Sequence, residues 1–443
     1  MMAFAHDMSC ECTKSELDLF SVPPTQTSME QGSWVEYHPL TTVSDGSPIE
    51  FDVSGTGDDY IDFANTMLFV KVKVIRANNN NIAADAVVGP VNLFLHSLFS
   101  QVDISLNGSL ITSSTNTYPY RAILETLLSY GQDAKSSQLT SALYYKDTAG
   151  NMDSLDFDDA DNMNQGLAVR RHMTRQSRVI DMMGRIHGDM FFQERYMLNE
   201  VNVKIKLVRS KDTFCLMADD GQYKVKIMHA SLFVRKVKLM PSIFLAHAKA
   251  LERGTAKYPI RRVVCKSFTI PQNYLDVNHE KLFSGQLPTR LVVGLVDNRA
   301  FNGSRELNPF NFQHFNLHEI GLYLDGQQQH AVRPIEPNFV DGQYIRAYNT
   351  MFAGTGKLGA VYQSSSLFID RDDYGNGYAL YAFDLTADLG EDDHFSLVRQ
   401  GSVRLALKFA QPLGATVTVI AYAEFENVIE IDRNRNVVFD FGV

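Results

Sequence analysis

The second half of this chain is a diverged copy of its first, and that narrows the possible folds more than any single motif. TMLFVKVKVIRA (66–77) aligns with TRLVVGLVDNRA (289–300), with Thr66/Thr289, Leu68/Leu291, Val70/Val293, Arg76/Arg299 and Ala77/Ala300 identical. FLHSLFSQVDISLNG (94–108) aligns with FQHFNLHEIGLYLDG (312–326), where Phe94/Phe312, His96/His314, Leu106/Leu324 and Gly108/Gly326 coincide. VNVKIKL (201–207) then matches GSVRLAL (401–407), and VKIMHASLF (225–233) matches VTVIAYAEF (417–425). Four matches in one order indicate two copies of one β-rich unit. The offset between copies falls from 223 to 192, so connections in the first copy are longer by 31 residues in total. Insertions of that kind belong in surface loops.

At 443 residues, each half is large enough to bury its own core. Only Cys10, Cys12, Cys215 and Cys265 occur, which is no disulfide framework and fits maturation in a reducing compartment. No apolar run approaches the ~20 residues of a membrane span. The opening MMAFAHDMSCEC lacks the basic-then-apolar pattern of a secretory signal. The sequons at Asn107 and Asn302 are therefore expected to be turns. Net charge is −10, and the main basic cluster is Arg170, Arg171, His172, Arg175 and Arg178. A protein that neutralises many phosphates needs more than this, so direct nucleic-acid binding is not expected.

Residues 1–32 form an arm poor in apolar side chains, with ELDLF (16–20) its one adhesive spot. Beyond Trp34 a two-residue apolar period sets in. It places Ile49, Phe51 and Val53 on one face of a strand, and Leu68, Val70, Val72 and Val74 on one face of another. Asn107-Gly108 and Asp325-Gly326 mark tight hairpins at matched places in the two copies. Helices are few. One is predicted over 120–131, with Ile123, Leu124, Leu127 and Leu128 on one face and Gly131 as its stop. Another is predicted over 241–254, with Ser242 as N-cap and Gly254 as terminator. The stretch 150–195, acidic over 153–161 and then basic, is a long loop carrying one or two short elements.

Duplicated units of about 200 residues with long, irregular connections fit jelly rolls better than immunoglobulin-like sandwiches of about 100 residues. The predicted fold is all-β: a double jelly roll of two eight-stranded antiparallel β-sandwiches in tandem, with a few short helices in the loops and linker. The expected divisions are an arm (1–32), a first jelly roll (33–241), a helical linker (242–257) and a second jelly roll (258–443).

Motifs for chemistry fail on inspection. Gly354-x-Gly356-x-x-Gly359 follows no clean strand and precedes no helical pattern, so it is a loop and not a nucleotide site. DRDDYGNG (370–377) offers Asp370, Asp372 and Gly375, but Tyr374 and Tyr381 stand where a calcium loop needs oxygen ligands. No HExxH, Cys/His metal spacing or GxSxG occurs. Arg185, His187 and Asp189 suggest acid–base chemistry, yet no nucleophile accompanies them. His96 and His314 recur in both copies, as packing or hydrogen-bonding residues do. No catalytic, cofactor-binding or metal residue is assigned, no cofactor is expected, and the chain is not read as an enzyme.

IDFANTMLFVKVKVI (61–75), NLFLHSLFSQVDISLNG (92–108), YPYRAILETLLSYG (118–131) and GRIHGDMFFQERYMLNEVNVKIKLVRSKDTF (184–214) resemble the major capsid (hexon) proteins of the Maverick/Polinton and adintovirus group. NPFNFQHFNLHEIGLYLDG (308–326) resembles them more loosely. The resemblance implies the double jelly-roll lineage and a homotrimer presenting six rolls as a pseudo-hexagonal capsomer. Such tiles form the icosahedral capsid of a double-stranded DNA virus or virus-like mobile element, assembled inside the host cell. Implied partners are neighbouring capsomers and penton and minor capsid proteins, with arms and roll bases facing inward toward minor proteins or an inner membrane surface. For the trimer contact, the candidates are the 120–131 helix and the 150–195 loop; their alternative role is to seal their own sandwich. Two rival readings have their own signatures. A tandem β-sandwich carbohydrate-binding module needs exposed aromatics beside Asn/Asp clusters, as at Tyr374 with Asp372, Asp373 and Asn376. A tandem cupin enzyme needs a His-x-His set, which the sequence lacks.

Overall fold

The computed structural model describes residues 8–44, 46–55, 57–219, 222–325, 327–328, 334–358, 367–389 and 394–439. Gly326 of the second predicted hairpin and Gly359 of the glycine-rich loop lie outside the described residues. The first unit begins with β1 (Met29–Tyr37), β2 (Ile49–Val53), β3 (Tyr60–Arg76), β4 (Val88–Pro90), β5 (Phe99–Leu106) and β6 (Ser109–Leu110). It continues with β7 (Ile180–Arg185), β8 (Val203–Arg209), β9 (Leu216–Ala218) and β10 (Tyr223–Leu239). The second unit runs β11 (Ala256–Ile270), β12 (Asp276–Gln286), β13 (Arg290–Asp297), β14 (Leu317–Leu324) and β15 (Gln327–Gln328). It ends with β16 (Leu380–Asp384), β17 (Gln400–Phe409), β18 (Val417–Ile431) and β19 (Val437–Val438).

Each unit is a sandwich of two four-stranded antiparallel sheets. In the first the orders are β1-β10-β3-β7 and β2-β8-β5-β6; in the second, β11-β18-β13-β16 and β12-β17-β14-β15. β4 and β9 form a separate ribbon, and β19 hangs on β18. With those three set aside, the two units follow one plan. The first, eighth, third and sixth strands make one sheet, and the second, seventh, fourth and fifth make the other. The chain changes sheet at every connection except the fourth-to-fifth hairpin, which is jelly-roll connectivity. The fold is a double jelly roll.

The four sequence matches fall on equivalent strands: β3 with β13, β5 with β14, β8 with β17, and β10 with β18. Register agrees as well. Val203 pairs with Leu106 and Leu207 with Val102; the counterparts Val403 and Leu407 pair with Leu324 and Ile320. Both ladders slip one residue at the same place, with Phe99 opposite Arg209 before the slip and Leu317 opposite Phe409. A shared β-bulge is a local kink that unrelated strands have no reason to share.

Alternation explains the cores. Ile49, Phe51 and Val53 of β2 face inward with Leu68, Val70, Val72 and Val74 of β3, all of them buried. Each such side chain contributes about 1.5–3 kcal/mol when fully removed from water. Asn107 (φ 46°) and the following Gly108 (φ 84°) take the left-handed conformations that a two-residue hairpin requires. Two predicted helix ends need correction. The first helix spans Tyr118–Ser129 and stops because Tyr130 is extended, while Gly131 has an ordinary φ of −82°. The second spans Pro241–Leu251 with Met240, not Ser242, at the N-cap; Pro241 opens it, having no amide hydrogen to leave unpaired. It ends three residues before Gly254.

Candidate functional site

The two rolls meet through the outward face of the β11-β18-β13-β16 sheet. Phe425 packs inward on Phe283 of the opposite sheet at 5.7 Å, so its neighbours on β18 and their ladder partners point outward. Register pairs Arg290 with Glu424, Val292 with Tyr422, Gly294 with Ile420 and Val296 with Thr418 on that outward face. Val292, Ile420, Tyr422 and Thr418 are nonetheless buried. What covers them is the first roll's Tyr118–Ser129 helix together with the second roll's own loops. Tyr120 on this helix stacks on Phe301 at 5.4 Å and meets Phe310 and Phe312 edge-on, with Phe214 of the first roll closing the cluster. Gly294 has to be glycine here, because a Cβ would come within 2.7 Å of the Phe312 ring.

The helix is thus buried on nearly all sides, including its charged positions. Arg121 bonds Glu125 (Nε to Oε1, 2.8 Å) and Asp189 (Nη2 to Oδ1, 2.7 Å). His187 Nδ1 lies 2.5 Å from the other Glu125 oxygen. Across the seam Asp189 accepts the Val263 amide at 3.2 Å and the Tyr422 hydroxyl reaches Glu125 at 3.5 Å; within the second roll that hydroxyl also donates to Glu424 at 2.9 Å, and Arg290 pairs with Glu424 at 3.3 Å. Burial works to raise the Glu125 pKa, but Arg121 and His187 hold it below the usual carboxylate range. For Asp189 burial wins and its pKa is raised. His96, whose Nδ1 is 2.9 Å from the Tyr118 hydroxyl, is kept neutral by burial and by His187 nearby.

The Arg185, His187 and Asp189 group of the sequence is therefore divided. His187 and Asp189 join the seam, whereas Arg185 lies over the Phe192 ring. The nearest thiol, Cys265, is pushed up to about 12 by burial, so it is no thiolate at neutral pH. This geometry holds two domains together; it does not present an acid–base pair to a substrate.

A second polar contact joins the rolls. Arg170 is fully buried; its guanidinium donates to the carbonyls of Pro90 (2.8 Å) and Tyr145 (2.7 Å) and pairs with Asp147 at 2.6 Å. Asn308 of the second roll donates to the remaining Asp147 oxygen at 3.1 Å. Asp153 accepts the Asn308 amide and the Asn311 side chain. Lys146 pairs with Asp373 at 2.5 Å. Part of the basic run is consumed internally: besides Arg170, Arg171 and Arg175 bond the carbonyls of residues 84–86, while His172 and Arg178 are exposed. The acidic DRDDYGNG turn is a helix cap, with Asp370 and Asp373 forming a capping box. Tyr374 is buried and unavailable for stacking on a sugar, which removes the aromatic that the carbohydrate-binding reading needs. His314 stacks on Phe339 at 4.0 Å and accepts the Asn316 amide, a packing role.

The 120–131 helix, a candidate for either the contact between subunits or the sealing of its own sandwich, is folded into this intramolecular seam, and so are Asp153, His187 and Asp189 of the 150–195 stretch. Sequence periodicity misses this because it reports only one apolar face. The signal available was Arg121 and Glu125, an i,i+4 ion pair inside an otherwise apolar helix.

The equivalent outward face of the first roll is open. Phe69 opposite Ser231 stands where Val292 faces Tyr422, and Met67 opposite Phe233 stands where Arg290 faces Glu424. Phe69 and Phe233 touch edge-to-face at 6.1 Å and are only half-buried, Lys71 is exposed, and Trp34 on the neighbouring β1 is 55% exposed. Glu36, His38 and His229 sit on the same side, with donor atoms within 4.8 Å of one another. Lys71 lies directly opposite His229 in the ladder.

No family model matches the sequence. Uncharacterized protein F54H12.2 of Caenorhabditis elegans is 27% identical over 433 residues, covering 95% of this chain and 99% of its own. A chain of the Sputnik virophage structure superposes with a TM-score of 0.64 at 12% identity, over 98% of this chain and 93% of that one. The PBCV-1 virus capsid gives 0.59 at 12% identity, over 96% and 100%. The mavirus major capsid protein gives 0.54 at 12% identity, over 100% and 97%. At these identities the likeness is one of fold, and it extends over the whole double jelly roll.

Proposed function

We propose that this chain is a major capsid protein of the Maverick/Polinton–adintovirus type, which builds an icosahedral shell from homotrimeric, pseudo-hexagonal capsomers. One observation carries the reading. The outward sheet face of the second roll is covered from within the chain, while the equivalent face of the first roll stays open and aromatic. If the contact made once within a chain is repeated between chains, the second roll of each neighbour covers the first roll of the next. Such a heterologous contact closes into a ring when the rotation permits. Three chains then place six rolls around one axis.

The likeness to folds named as capsid proteins supports the same reading. So does the charge: the net is −10, and Arg170, Arg171 and Arg175 of the main basic cluster are engaged with the protein's own carbonyls and the Asp147 carboxylate. On this reading the partners are neighbouring capsomers and penton proteins, with minor capsid proteins or an inner membrane surface on the inward side, and the destination is the virion. The functional units are the arm, the two rolls and the helix joining them.

Electron microscopy of the purified protein tests this directly. Three-fold particles with six lobes are expected; two-lobed single particles at micromolar concentration contradict it.

A further inference from the structure

A cleft of about 760 Å³ opens where the Pro241–Leu251 helix crosses from one roll to the other. Its wall is mainly apolar, built from Tyr60, Leu198, Leu239, Ile243, Leu251 and Tyr258. That volume falls in the range of about 300–1,000 Å³ typical of binding pockets. Arg195, His247 and Lys257 also border it, Lys257 being paired with Glu430 at 3.1 Å, with Glu194 the one acid among the lining residues. The arm begins at its mouth, since Ser28 and Met29 are among the lining residues.

Every residue from Met8 to Ser28 is exposed. Within this arm Leu17, Leu19, Phe20 and Val22 are 67–97% exposed, in a segment that also carries Glu16 and Asp18. Four large apolar side chains in six residues, left in water beside an unfilled apolar cleft with a mostly basic border, are complementary in both hydrophobicity and charge.

We propose that this cleft receives the arm segment 17–22 of a second copy of the chain. The chain's own arm is poorly placed to enter. Only six residues separate Val22 from Met29, a reach of about 20 Å, and Pro23-Pro24 stiffens them in an extended form. Gln26 fixes the root by accepting the amides of Ser28 and Met29. Entry into the same molecule's cleft therefore demands a reversal across the stiffest part of the arm, whereas entry into a neighbour's does not. The contact is separate from the open sheet face and does not depend on the trimer.

The test uses the full-length chain with a photoreactive benzoylphenylalanine replacing Phe20. Irradiation is expected to give a covalent species of twice the 49.8 kDa chain mass, with the attached peptide drawn from the cleft around residues 239–258. Ala250→Trp, on the exposed helix and projecting into the cleft, is expected to cut that yield at least tenfold. Leu17→Asp with Leu19→Asp, in an arm that cannot unfold the body, is expected to do the same. Crosslinks confined to single chains, attached outside the cleft, or unchanged in these variants would overturn the proposal, as would no crosslink at all. Light scattering of the same samples reports trimer formation independently, because none of these substitutions touches the open sheet face.

Discussion

Arg170 and Lys135 show how the interior between the rolls handles buried charge. Each guanidinium nitrogen of Arg170 has an acceptor, from two carbonyls and the Asp147 carboxylate at 2.6–2.8 Å. Removing one partner of a buried pair leaves the other charge uncompensated, at a cost of about 3–5 kcal/mol. Asp147→Ala should therefore lose about that much in urea denaturation, while Asp147→Leu combined with Arg170→Met should recover most of it. Among the described residues Lys135 has no carboxylate partner. Its ammonium bonds the carbonyls of Leu127 and Leu367, and burial, with Lys146 and Lys357 nearby, lowers its pKa to about 7. Unfolding returns the amine to its ordinary value of about 10.4. Between these limits the unfolded chain binds more protons, so this group makes stability rise with pH from about 7 upward. Denaturation midpoints between pH 7 and 9 should rise in the natural chain and rise less in Lys135→Met.

At the scale of elements, the Tyr118–Ser129 helix bears the contact between rolls. Tyr120→Ala removes a ring touching Phe214, Phe301, Phe310 and Phe312, and the loss should be about 3–5 kcal/mol. Because the ring lies between the units, thermal unfolding should split toward two transitions rather than shift as one. The strands legible in the sequence were β2 and β3, through their period-2 runs, and β5, β8 and β10 with the four counterparts β13, β14, β17 and β18, through the match between the halves. β7 and β16 were hidden because they lie between long excursions, and β16 is buried on both faces, LYAFD, with no alternation to detect. β6 and β15 are two residues long and were visible only through their Asn-Gly and Asp-Gly turns. The seam was illegible for a related reason. The Tyr118–Ser129 helix shows only one apolar face in its sequence, and its Arg121 and Glu125 resemble surface charges until Asp189 and His187, distant in sequence, are brought beside them.

For the whole molecule, the two rolls are alike in strand order and in register but unlike in what covers their outer sheets. On the proposed function a closed assembly accounts for that difference: a neighbour would cover the first roll's Trp34, Phe69 and Phe233, as Val292, Ile420 and Tyr422 are covered within the chain. Obligate interfaces of this kind bury on the order of 2,000–5,000 Å², enough to persist on dilution, and a charge placed at the centre of the open face should abolish them. The decisive measurement is solution mass by light scattering at micromolar concentration, for the natural chain and for Phe233→Glu. The account predicts three times the 49.8 kDa chain mass for the first and a single folded chain for the second. A natural chain that runs as a monomer, or a Phe233→Glu variant that still forms the trimer, would contradict it.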